Sequence, residues 1–318
     1  MADQAAAEKI TCQVHGHAVD LLFLAAIRPF GNKYYKLKHN LTWARDQGYT
    51  TIASFGGAWS NHLHALAQVG AEQGFKTIGI VRGERAERLS MTLLDCEARG
   101  MQLHFISRED YRRRHSLEFL RSLRRRFADC YLIPEGGTNQ LAVQGAGEIV
   151  AEINRLSPAA QLILLPVATG GTLAGIAAAL PAEKRVLGIS VLKGTGFASQ
   201  SGRIQGAGLE AGGLEAEVAG WIGAQGLSPT ADRNWAIDHR FHCGGYARCP
   251  DYLQAFILDW QAREGVLLDP VYTGKLFYGL SQMLQQGEID SNTAIVALHT
   301  GGEQGRRGYD FLNISALS

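Results

Sequence analysis

Lys33 has the strongest claim to chemistry in this chain, because the turn Gly31-Asn32 delivers it to the start of a helix. Leu37, Leu41 and Ala44 recur at helical spacing behind it, and that spacing predicts the helix. The first turn carries the positive end of the helix macrodipole, which disfavours an ammonium. Lys33 is therefore expected to lose its proton more easily than a free lysine. A neutral amine is a nucleophile, and its most versatile use is a Schiff base with a carbonyl group. Most lysines near helix starts are solvated surface groups, so the assignment depends on what else the chain supplies. Lys36, one turn on, is placed to meet a substrate or line a cleft but lacks the first-turn position.

Ligands of open α/β sheets sit where strands end and helices begin. Four glycine-bearing turns lie at such points: 56–62, 136–139, 168–172 and 301–302. Ala168-Thr169-Gly170-Gly171-Thr172 is the strongest anion-binding candidate. Its glycines let backbone N–H groups approach an anion, its threonines add donors, and the following helix adds positive potential. It lacks the Lys-Ser/Thr of a Walker loop and is not GxGxxG, so a phosphate monoester fits better than a nucleoside triphosphate or dinucleotide. Pyridoxal phosphate is a carbonyl cofactor that carries such a group. An ordinary strand-to-helix turn is the competing explanation.

Gly56-Gly57-Ala58-Trp59-Ser60-Asn61-His62 is the second turn of interest. Ser60 caps a helix whose free amides suit a carboxylate, and Asn61 has a donor for a phenolate or carbonyl oxygen. Simple helix capping competes with both roles. His62 and His64 are two apart in a presumed helix and face different directions, so neither is read as a metal ligand and no metal is expected. Tyr272, in Asp269-Pro270-Val271-Tyr272-Thr273-Gly274-Lys275, stands between a strand and a helix, where a side chain points into a cleft. Packing is the commoner use of such a tyrosine. Tyr246, after Cys243-Gly244-Gly245, is equally ambiguous.

The elements that must position these residues alternate strand with helix. Strands are expected at 50–55, 76–81, 102–106, 131–134, 161–167, 185–191, 235–241, 266–268 and 293–298, with helices between most of them. One helix is expected over 141–156, and 193–227 has too many glycines to read. This alternation implies parallel sheets wound on both sides. The 318 residues suffice for two domains or one large one. A net charge of +1 with 46% hydrophobic residues gives no electrostatic reason to expect nucleic acid or a membrane. The arginines at 112–114 and 121–126 flank an apolar stripe of Leu117, Phe119, Leu120, Leu123 and Phe127, which a solvated helix face explains. Five scattered cysteines without a CxxC pair argue against a disulfide or zinc scaffold. No apolar run approaches membrane-spanning length, and residues 1–10 lack a signal-peptide core, so a cytoplasmic location is expected.

In their order along the chain, these motifs resemble one family. They are a lysine after Gly-Asn, Gly-Gly-x-x-Ser-Asn-His, Thr-Gly-Gly-Thr, Asp-Pro-Val-Tyr-Thr-Gly-Lys and a late His-Thr-Gly-Gly. The chain resembles pyridoxal-phosphate enzymes of the D-cysteine desulfhydrase and 1-aminocyclopropane-1-carboxylate deaminase family, from about Arg28 to Asp310. The resemblance implies an α/β fold of two three-layer domains with mostly parallel sheets, the tryptophan synthase β-like fold called fold type II. It implies a large discontinuous domain of residues 1–35 and 135–318, a small one of 36–134, and a homodimer. Lys33 matches the lysine that holds the cofactor and moves protons at the substrate α-carbon. Ser60, Asn61 and His62 match the loop that takes the substrate carboxylate. Within it, Asn61 matches the partner of the cofactor's ring oxygen and Ser60 a serine close to the reacting substrate. Ala168 to Thr172 match the phosphate cradle, and Tyr272 and Tyr246 match two tyrosines beside the substrate. Thr273 matches the residue facing the pyridine nitrogen.

Two departures from the family pattern stand out. Leu24-Ala25-Ala26-Ile27 occupies the place of an Arg/Lys-x-Asp-Asp strand, and Trp59 puts an indole beside the carboxylate loop. Thr273 replaces the glutamate of the deaminases, and a neutral hydroxyl stabilises a protonated pyridine less. Losing a thiolate needs less electron withdrawal than opening a cyclopropane. The expectation is therefore a lyase acting on D-cysteine. The alternatives are a 1-aminocyclopropane-1-carboxylate deaminase and, from another class, a non-catalytic binder of the cofactor or another phosphate ligand, with a racemase a distant further option.

Overall fold

The structure, a computed structural model, describes residues 7–24, 30–128, 130–193, 213–227 and 234–313. It opens with a hairpin that the motif pattern did not predict, β1 (Glu8–Val14) and β2 (His17–Phe23), paired antiparallel. His15 and Gly16 both have positive φ (49° and 81°), the two-residue turn whose twist matches a hairpin. Leu24 follows β2 fully buried, and Ala25, Ala26 and Ile27 lie outside the described residues.

Helix α1 (Asn32–Asp46) leads into the first βα repeats: β3 (Thr51–Gly56), α2 (Asn61–Glu72), β4 (Lys76–Arg82), α3 (Met91–Ala98), β5 (Gln102–Ile106), α4 (Arg108–Arg112), α5 (Leu117–Arg126) and β6 (Cys130–Ile133). The four strands form a parallel sheet in the order β5-β4-β3-β6. Alternation along the strands divides its two faces. Ile52, Val81 and Ile133 pack under Leu37 and Leu41 of α1, Leu63 and Leu66 of α2 and Leu93 of α3. Ala53, Phe55, Ile78 and Ile80 face Tyr111 of α4 and Phe119 and Leu123 of α5. The expected apolar stripe of α5 is narrower than its sequence suggests, since Leu117 is 70% exposed.

The second series runs α6 (Gln140–Gly147), α7 (Ile149–Leu156), β7 (Leu162–Val167), α8 (Gly171–Ala179), β8 (Arg185–Ser190), α9 (Leu214–Gly223), β9 (Trp235–Asp238), α10 (Asp251–Glu264), α11 (Thr273–Gln285), β10 (Ile295–His299) and α12 (Asp310–Asn313). Its strands and the hairpin make a six-stranded sheet, β1-β2-β10-β7-β8-β9, parallel except for β1. β7 is buried along its whole length. Leu162 and Leu164 face α10 and α11, while Ile163, Leu165 and Val167 face α6, α7, α8 and α9. Both sheets are thus three-layered, α/β/α, as the alternating pattern implied.

Three expectations need correction. Residues 141–156 form two helices, not one. The break falls at Glu148, whose carboxylate is drawn to Lys38 (2.5 Å) and His39 (2.6 Å) on α1. The unread stretch contains α9, while 194–212 lie outside the described residues. Val266 and Leu268 are buried and Leu267 is exposed, and the three residues belong to no sheet. Side chains take their carbonyls instead: His299 Nε2 lies 2.8 Å from Leu267 O, and Arg306 Nη1 donates to Leu268 O.

Glycines set the closest helix crossings. A Cβ on Gly145 of α6 would stand 2.0 Å from the Tyr35 carbonyl oxygen of α1, and one on Gly175 of α8 would stand 2.3 Å from Val143 O. Gly220, inside α9, has open space where its Cβ would be. Gly145→Ala should lower stability by about 1–3 kcal/mol through overpacking. Gly220→Ala should raise it by roughly 0.5–1 kcal/mol through helix propensity. Urea unfolding midpoints of the two variants would check this opposite pair of shifts.

Candidate active site

Gly31 decides where Lys33 goes. Its φ of 49° and ψ of −132° suit only glycine, and a Cβ there would stand 2.0 Å from Thr300 O. Asn32 N bonds Thr300 O at 3.3 Å, so the start of α1 is pressed onto the turn after β10. Lys33 then sits in the first turn of α1 as expected, and its amine has no hydrogen-bond partner among the described residues. Burial pulls its pKa down to about 8. The amine is depressed as foreseen, and desolvation is the cause that lowers it.

Lys36 departs further from expectation. It is 1% exposed, and burial followed by the charge of Lys33 holds it well below the usual lysine range. Its Nζ donates to Gly136 O (2.6 Å) and Thr138 Oγ1 (2.7 Å), and would lie 3.3 Å from a Cβ on Gly171. It therefore joins turn 136–138 to turn 168–172. Those turns also meet through Thr138 Oγ1 and Thr169 Oγ1 (2.7 Å), and Asn32 Nδ2 donates to Thr172 Oγ1 (2.9 Å). Ala168 and Thr169 lead from β7 into this turn, Gly170 is left-handed (φ 72°), and α8 begins at Gly171 without a side-chain cap. Its first amides remain free for an anion.

Ser60 caps α2, accepting from Leu63 N at 3.2 Å. His62 is 2% exposed and points away from the capping loop, with Nε2 2.8 Å from Ser54 Oγ. Ser54 donates its proton to Ile133 O (2.9 Å), so the network makes His62 the Nε2–H donor. Nδ1 is then a buried acceptor without a partner among the described residues, and a Cβ on Gly137 would stand 2.9 Å from it. Burial, then Lys33 and Lys36, push the pKa of His62 well down, so it stays neutral. His64 lies elsewhere, 3.2 Å from Asp95.

Asp269 organises the loop before α11. Its Oδ1 accepts from Val271 N (2.9 Å) and Tyr272 N (2.8 Å), and its Oδ2 accepts from Thr273 N (2.9 Å) and Thr273 Oγ1 (2.8 Å). Asp269 N donates back to Thr273 Oγ1 at 2.8 Å. The Thr273 hydroxyl has thus committed its proton and one lone pair. Tyr272 OH donates to Tyr246 OH at 3.4 Å, their rings meeting edge-on; burial raises the pKa of Tyr272, while Tyr246 is exposed. Lys275, fully buried, fixes the Tyr246 loop by donating to Gly245 O at 2.5 Å.

A Cβ on Gly302 would lie 2.6 Å from Asn61 Nδ2 and 3.6 Å from Asp269 Oδ2, so the Asn61 and Thr273 loops converge on that glycine. Gln304 Nε2 donates to Asn61 Oδ1, and Thr92 Oγ1 donates to Gln304 Oε1. The structure therefore gathers Lys33, Lys36, His62 and Thr169 to Thr172 in one place, and Asn61, Thr273 and Tyr272 beside Gly302. The motifs had not marked Asn32, Thr138, Thr92 or Gln304. Asn32 stood beside the lysine and Thr138 in a noted turn, but no motif carries Thr92 or Gln304.

Residues 27–301 match the pyridoxal-phosphate dependent enzyme family, a range that spans β3 to β10 and the turns at Gly31, 56–62, 136–138 and 168–172. The chain belongs to that family. It is 29% identical over 293 residues to a Pyrococcus horikoshii protein named "Putative 1-aminocyclopropane-1-carboxylate deaminase", covering 90% of this chain and 84% of the relative. It is 28% identical over 285 residues to a "D-cysteine desulfhydrase" of Salmonella paratyphi A, covering 86% and 82%. A solved structure described as an ACC deaminase homologue superposes with a TM-score of 0.78 at 25% identity, covering 99% of this chain and 96% of its own. The fold is therefore fold type II and the family's cofactor is pyridoxal phosphate. This chain's residues fit that group: an unpartnered, desolvated amine at Lys33, and an uncapped helix start flanked by threonines and the Lys36 amino group for a phosphate.

The depressed pKa of Lys33 has a direct consequence. In the cofactor-free protein its reductive methylation should rise with pH through a midpoint of about 8, well below the ordinary lysine value of 10.5. Peptide mass mapping across a pH series would measure it, and surface lysines supply the reference curve.

Proposed function

We propose that this enzyme is a lyase acting on a small amino acid, and that D-cysteine is the substrate it fits best. D-cysteine and water would give pyruvate, sulfide and ammonia. When bound, pyridoxal phosphate supplies an electron sink for the substrate α-carbon. Lys33 would hold the cofactor and then take the α-proton, two roles that a desolvated amine serves. Ser60, Asn61 and the His62 backbone, at the start of α2, would take the substrate carboxylate. Ala168 to Thr172 would take the phosphate, and Lys36 belongs with them and not with the substrate, because its ammonium is tied to Gly136 and Thr138. Tyr272 and Tyr246, whose hydroxyls meet at 3.4 Å, would offer a proton to the departing sulfur.

The observation that carries the choice of substrate is the bonding of Thr273. Its proton goes to Asp269, so toward a cofactor ring nitrogen it presents one lone pair and no charge of its own. That is a weaker partner than a carboxylate. It suits expulsion of a thiolate, which carries electrons away, more than opening of a three-membered ring. The named relatives also support the second reading, deamination of 1-aminocyclopropane-1-carboxylate to 2-oxobutyrate and ammonia. We further propose the domain division at 35/36 and 134/135, a homodimer and a cytoplasmic location. Among the described residues, no helix is long and apolar enough to cross a membrane.

A panel of D- and L-amino acids, with keto acid and sulfide followed together, tests this. Equal release of pyruvate and sulfide from D-cysteine is expected. Release of 2-oxobutyrate from the cyclopropane substrate, with no sulfide from D-cysteine, would reverse the order. Lys33→Ala should lower kcat by at least the roughly 10²–10⁴-fold typical of a lost acid/base group.

A further inference from the structure

Asn61 carries an amide, and an amide can present either its N–H₂ or its oxygen to a ligand. Its partner on the protein side decides which. Gln304 Nε2 donates to Asn61 Oδ1, so the oxygen faces Gln304 and Nδ2 is left against Gly302. Gln304 is itself an amide that could turn over. Thr92 Oγ1, on a fully buried threonine of α3, donates to Gln304 Oε1 and fixes its sense. The three groups run in one direction: hydroxyl donor, amide, amide, and a final N–H₂ at the ligand side.

From this we propose that Gln304 is a positioning residue, which with Thr92 sets the polarity of Asn61 so that Asn61 Nδ2 donates to the ring oxygen of the cofactor. The inference rests on the reading of Asn61 as the ring-oxygen partner. Thr92 and Asn61 come from the helices of the four-stranded sheet, on α3 and α2. Gln304 comes from the 3-10 segment Glu303–Gly308, after the last strand of the six-stranded sheet. The donor that meets the cofactor is therefore oriented from across the cleft. The same segment is anchored on this side by Arg307, which reaches Asp95 at 2.5 Å, and by Gly308, where a Cβ would stand 3.0 Å from the Trp59 ring.

Gln304→Glu separates orientation from docking. A carboxylate keeps the shape and still accepts from Thr92, but it has no proton for Asn61 Oδ1. Asn61 must then turn its N–H₂ toward Glu at 304 and present oxygen to the ring oxygen, a repulsive pair. Two probes are titrated into the cofactor-free full-length protein at pH 8: 4′-deoxypyridoxine 5′-phosphate, which has the ring oxygen, and its analogue lacking the ring hydroxyl. Gln304→Glu should weaken the first on the order of 10-fold to 100-fold, the scale of a hydrogen bond to a charged group, and change the second less than about twofold. Thr92→Val should act in the same direction by about threefold, and it serves if the glutamate variant folds poorly. In the loaded protein, the pH midpoint of the cofactor's visible band should move in Gln304→Glu. Equal weakening of both probes would mean that Gln304 only docks its segment, and no weakening of either would mean that Asn61 keeps its orientation unaided. Either result overturns the inference alone. Wild-type protein that binds neither probe and yields no borohydride-fixed adduct at Lys33 would overturn the proposed function with it.

Discussion

Two lysines share one desolvated pocket, and their mutual repulsion is the condition that the surrounding structure must meet. Burial lowers both pKa values, and Lys33 lowers that of Lys36 further. The carboxylates nearby have other partners. Asp269 is occupied by three backbone amides and a hydroxyl, and Glu135 by Arg114 (2.6 Å) and Tyr111 (2.5 Å). Buried cations without acids are costly unless a ligand supplies the missing charge. A phosphate and a carboxylate are what the two uncapped or freshly capped helix starts beside them can hold. The pocket is thus built around an anion, and the neutral His62 adds no further positive charge.

Close backbone approach makes that arrangement possible. Gly31 lies against Thr300, Gly137 against His62, and Gly302 against Asn61, each too near for a side chain. The first and third join elements of one sheet to those of the other, and the second joins the turn after β6 to α2. Gly145 and Gly175 use the same freedom to bring helices together.

Much of this was legible in the sequence, for a physical reason. Near-continuous apolar runs marked β3, β4 and β7 because each of these strands faces two covered layers. The turns at 56–62 and 168–172 could be located because glycines, threonines and caps have few other uses at strand ends. The hairpin β1-β2 was harder, since its pattern is short and its turn is His-Gly where Asn-Gly would have signalled it. Residues 266–268 misled because a short apolar run looks alike whether a strand or a pair of side chains takes its carbonyls. Thr92 and Gln304 are 212 residues apart, and neither has a composition that marks it; only the fold makes them neighbours. The burial of Lys36 was not visible in the sequence, where only its helix position could be weighed.

The strand order also has a consequence for how the chain is made. The four-stranded sheet is contiguous, closing between residues 51 and 133, so every one of its pairings can form while the ribosome is still adding the second half. β2 waits far longer. Its parallel neighbour is β10, residues 295–299, which follows every other strand in the sequence. Until β10 has emerged, the edge of β2 that will pair with it stays unsatisfied.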